Sequence, residues 1–124
     1  MRIDGKTSCS GANLHEVWDN QLIEAATGFG PPDDAPALVR QLRPLWPRVQ
    51  AAEPPLTART PAEWRAVVER WHAETHALIL RAGLYPSDGQ IGPAYLQRHY
   101  PTARLQLLRA AARLAALLRQ SLPP

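Results

Sequence analysis

Cysteine occurs once and lysine once in 124 residues, and no apolar run approaches the roughly 20 residues of a membrane helix. One cysteine cannot form an internal disulfide or a paired-cysteine zinc site. No glycine-rich phosphate loop and no nucleophile elbow occur, which removes P-loop and serine-hydrolase chemistry. No internal repeat is present, and no charged-then-apolar segment opens the chain, so no secretory signal is visible. That leaves two expectations: a cytosolic protein, or a chain that lacks its natural start.

What is present is 45% apolar residues, enough to exclude a disordered chain, and 13 prolines that fall between helical stretches. The length fits one domain with a modest core. Arginine supplies nearly all the positive charge and suits bidentate phosphate contacts, but a net +3 is a weak signal for a polyanion partner.

The elements read as all-α, a bundle of about four to five helices. Around Asp4-Gly5 a short N-terminal β-hairpin is expected from Arg2 to Ser8. A first helix, capped by Asn13, runs from Leu14 to Ala26 with an apolar stripe of Leu14, Val17, Trp18, Leu22 and Ala25. A second spans Pro36 to Ala52, kinked or split by Pro44 and Pro47. Thr60-Pro61-Ala62-Glu63 is a capping box opening a third, which stops at Gly83. Its buried stripe is Trp64, Val67, Val68, Trp71, Leu78 and Ile79, of which Trp64, Val67, Trp71 and Leu78 are expected to pack on Leu108, Ala112 and Ala115 of the last helix. A short helix from Pro93 to His99 and a final one from Pro101 to Gln120 complete the chain.

Two clusters carry possible chemistry. His15 and Asp19 are four apart on the first helix and share a face, at the edge of the apolar stripe. An imidazole and a carboxylate converging there are natural zinc ligands; an ordinary contact between helix neighbours is the other reading. Glu69, His72 and His76 share a flank of the third helix, either a metal site or a solvated polar face. Thr75 lies in the third helix's stripe, where a hydroxyl bonds back to a helix carbonyl. Trp18 reads as packing, and Asn13 as a cap that could also touch a substrate phosphate.

The run Asn13-Leu14-His15-Glu16-Val17-Trp18-Asp19 resembles the zinc-ligand segment of the S1/P1 nuclease family. Trp71-His72-Ala73-Glu74-Thr75-His76 is similar to that family's Trp-x-x-Glu-Ser segment, with Thr75 in the serine's place. Tyr95-Leu96 to Tyr100-Pro101, Gln106-Leu107 and Arg113-Leu114-Ala115 resemble its last helix. The related zinc phospholipases C carry His-x-x-x-Glu at the first of these places, so Asp19 points to the nuclease branch.

The resemblance implies a phospholipase C/nuclease-like helical domain holding three zinc ions, with His15 and Asp19 serving one. It implies a secreted or periplasmic endonuclease that cuts single-stranded DNA and RNA to 5′-phosphates and removes 3′-phosphates from nucleotides. The family's N-terminal tryptophan ligand and upstream His and Asp ligands have no counterpart here. The expectation is therefore that residues 1–124 form the C-terminal part of a larger nuclease domain, its partner being the missing N-terminal half, and are inactive alone. By the same resemblance Cys9 would pair with a cysteine in that half. Two other readings stay open: a non-catalytic helical interaction or scaffold module, and phospholipid hydrolysis. No membrane segment is expected.

Overall fold

A computed structural model describes residues 14–27, 35–87, 89 and 91–122. The described chain is helical, and no strand occurs among these residues. Helix α1 (Leu14–Glu16) runs through a π-helical segment, Val17–Gln21, into α2 (Leu22–Thr27). Then come α3 (Ala35–Leu42), a 3₁₀ turn (Arg43–Leu45), α4 (Trp46–Ala52), α5 (Pro61–Ala82) and α6 (Pro93–Ser121). The all-α bundle stands. The expected hairpin, with Cys9 and Asn13, lies outside the described residues.

Local chemistry explains most boundaries. Pro44 and Pro47 do split the second helix, through the 3₁₀ turn between α3 and α4. The Thr60 side chain accepts from the Glu63 amide, and Glu63 accepts in return from the Thr60 amide at 2.9 Å. Gly83 ends α5 at φ +58°, a left-handed conformation that a side chain would disfavour.

Pro101 does not start a new helix. It lies inside α6, which is continuous from Pro93. Proline there removes the bond to the Gln97 carbonyl and costs about 3 kcal/mol in an exposed helix. Here burial acts on both sides of it: Tyr95, Leu96 and His99 before, Ala103 and Leu108 after. Tertiary packing overrides the local breaker.

Helix α6 is the spine of two small cores. Near its start, Tyr95, Leu96 and Ala103 enclose Val17 and Leu22, both fully buried. Further along, Leu108 packs with Leu42 and Val49. The expected stripe-on-stripe packing of α5 against Leu108 is thus replaced by packing of α3 and α4. No residue of α5 is fully buried: of the expected stripe, Trp64, Val67, Trp71, Leu78 and Ile79 are half-buried and Val68 is exposed. Midway along α5, Arg113 ties α6 to it: its guanidinium lies 5.1 Å over the Trp71 ring and pairs with Glu74 and Glu53.

Candidate metal-ligand site

Val17 and Leu22 of the same helical run are fixed in the core, while His15 and Asp19 stay outside it. His15 Nε2 and Asp19 Oδ2 lie 3.0 Å apart. Two ligands on one tetrahedral zinc, each at about 2.0–2.1 Å, are separated by roughly 3.3 Å. The donor types and their spacing therefore fit one metal ion. They fit equally the direct side-chain contact between helix neighbours that they form here.

Their setting differs from the expected border position. His15 is 85% exposed and Asp19 55%. The pair stands at the surface, because Val17 and Trp18 turn inward and carry the stripe without it. Residues Glu16, Asn20 and Glu24 are exposed, as expected for the wetter side. Asp19 belongs to the π segment and His15 to the α turn before it. The two ligands thus leave the helix from turns of different width. Such π segments are rare and frequent at functional sites.

Beside His15 opens a groove of about 470 Å³, walled by Leu14, Trp18, Leu78, Ile79, Leu84 and Tyr85, with Thr75 and Gln106 as its polar members. The Thr75 hydroxyl donates to the Trp71 carbonyl at 3.0 Å, the back-bond expected of it, but from an exposed position and not from the centre of a buried stripe.

His72 and His76 are exposed, with parallel rings 6.5 Å apart. Among the described residues no three of His, Cys, Asp and Glu converge as a metal site. Glu69, His72 and His76 therefore do not form a three-ligand centre.

Sequence reading passed over the anchor beneath the site. The Trp18 indole N–H donates to the Tyr95 hydroxyl at 2.9 Å, and that hydroxyl donates to the Leu84 carbonyl at 2.6 Å. His99, 3% exposed, lies under both rings, 4.3 Å from that of Tyr95 and 5.8 Å from that of Trp18. Burial raises the Tyr95 phenol above its usual range, against the opposing bond from Trp18. Burial, then the Arg98 charge, hold the His99 imidazole below its usual range. The aromatic types were visible in the sequence; their meeting across 77 residues has no periodicity to reveal it.

Fold and donors together define an all-helical domain that displays two converging metal-ligand types on one short helix. The family model for the S1/P1 Nuclease matches residues 1–123, and the chain belongs to that family. Comparisons with curated proteins and with solved structures give no match. Membership brings nuclease function in the broad sense, and the family is generally zinc-dependent. No helix among the described residues is long and apolar enough to cross a membrane.

Proposed function

We propose that this chain contributes His15 and Asp19 as two ligands of one zinc ion in a secreted or periplasmic nuclease that hydrolyses single-stranded DNA and RNA. The products are 5′-phosphate ends, and the same centre removes 3′-phosphates from nucleotides. The observation that carries this is the 3.0 Å approach of an exposed imidazole nitrogen and a carboxylate oxygen, in a chain of the S1/P1 family.

Each residue has a stated part. His15 presents Nε2 as a neutral donor, and Asp19 presents Oδ2 with the negative charge that offsets a cation. Asn13, outside the described residues, is assigned a contact to a substrate phosphate on this reading. Bound zinc supplies an activated water and stabilises charge developing on the phosphate. Structural and catalytic zinc sites take three or four protein ligands. The described residues bring two such donors together, so on this reading the remaining ligands come from outside the described residues.

A paired assay tests this. A zinc-loaded full-length protein is expected to cleave a single-stranded oligonucleotide and leave 5′-phosphates. His15→Ala and Asp19→Ala are expected to abolish cleavage without loss of helix content, since neither side chain supports the core. Full activity in Asp19→Ala contradicts the assignment.

A second reading, a non-catalytic helical interaction module, has one observation in its favour: Val68, Leu80, Leu114 and Leu118 are exposed on α5 and α6. Zinc titration separates the two, because a scaffold shows no response at His15.

A further inference from the structure

We propose that Tyr95 is a positioning residue for the ligand pair: its hydroxyl holds the Trp18 indole and so fixes the π segment that aims Asp19 relative to His15. The proposal rests on the ligand reading above.

Three observations support it. Trp18 lies between the two ligands in sequence and within the π segment, so a force on its ring acts on the backbone that separates them. The Tyr95 hydroxyl is used in both directions, accepting from Trp18 and donating to Leu84, which directly follows the Gly83 cap of α5. One phenol oxygen therefore ties the ligand helix, the end of α5 and the start of α6 together. The Tyr95 ring is itself held, buried against His99, so the oxygen has a fixed place.

The π segment makes this tie consequential. Its wider turn is unfavourable compared with continuous α-helix and persists where surrounding contacts over-determine it. Val17 and Leu22 are fully buried and hold its two ends. Between them Trp18 is anchored by one hydrogen bond. Without that bond the segment can relax to α-helical spacing, which rotates Asp19 relative to His15 and changes the donor separation.

Packing alone makes a different forecast. Tyr95→Phe keeps the ring on His99 and removes only the oxygen, so a purely packing role leaves the ligand pair unchanged. The test is NMR of the labelled chain with and without millimolar zinc. Tyr95→Phe is expected to shift the Trp18 indole signal and to speed amide exchange over Val17–Gln21 about fivefold to tenfold. It is also expected to weaken the zinc response of the His15 imidazole about tenfold. Trp18→Phe removes the same bond from the other end and is expected to do the same, which keeps the test open if one variant folds poorly. Tyr100→Phe is the control, because the Tyr100 hydroxyl is buried with no hydrogen-bond partner among the described residues and its loss should leave all three readouts unmoved. Unchanged exchange and unchanged zinc response in Tyr95→Phe overturn the positioning role. A wild-type His15 signal that ignores zinc overturns the ligand reading instead, while the exchange rates still report whether Tyr95 holds the π segment.

Discussion

The Arg113 guanidinium covers the Trp71 ring at 5.1 Å while bonding Glu53 through Nε at 2.8 Å. It also reaches Glu74, so one side chain links the end of α4, the middle of α5 and α6. Burial disfavours its charge, but the hydrogen bonds to Glu53 and Glu74 outweigh this and raise its pKa above the usual value. Breaking a fully buried pair costs about 3–5 kcal/mol; here Arg109 still faces Glu53 at 3.3 Å, so Arg113→Ala should cost somewhat less, about 2–3 kcal/mol. Urea denaturation measures it. Since no residue of α5 is fully buried, near-neutral behaviour would mean that α5 is held by something other than Arg113.

Leu22→Ala should be among the most damaging changes. Leu22 is fully buried in the core shared by α2 and α6. Truncation removes buried methyl groups and leaves a cavity, costing about 2–5 kcal/mol. A thermal midpoint within a degree or two of wild type contradicts this.

His99 gives the fold a pH dependence of definite sign. The folded imidazole titrates below its ordinary range, chiefly because it is buried. The unfolded chain takes up its proton near about pH 6.5. Between those values the unfolded state binds more protons, so stability falls as pH drops below about 6.5 and through the folded pKa, and is whole above it. His99→Leu should flatten that fall. Urea midpoints at pH about 7.5 and about 5.5, for both proteins, measure it.

The cap of α5 should matter more than most. Thr60→Ala should cost about 1 kcal/mol. Its partner Glu63, held below the usual carboxylate range by the Arg59 and Thr60 amides, should lose its contribution as pH falls through that lowered value. Helix loss over Pro61–Ala82, followed by amide exchange, reports both effects.

Helix boundaries were legible where the chemistry is local. Thr60 to Glu63, Gly83, Pro44 and Pro47 each act within one turn, and each acts as the sequence implies. Pro101 was not legible, because the burial that outweighs it comes from residues of α2 far along the chain. The α5 stripe is half-buried as its period implies, but periodicity names an apolar face and not the face it meets, and Leu108 meets Leu42 and Val49. At the site, the His15 and Asp19 spacing was readable as one face. Their degree of exposure was not, since it depends on how Val17 and Trp18 dock. The π segment and the Tyr95 tie likewise arise only from the folded arrangement.

The role of His15 and Asp19 is tested most directly by a crystal of the protein grown with zinc, read by anomalous scattering at the zinc edge. The expected result is a peak bonded to both His15 Nε2 and Asp19 Oδ2, at about 2.0–2.2 Å from each. Zinc bound elsewhere, with His15 and Asp19 still paired to each other at 3.0 Å, would contradict it.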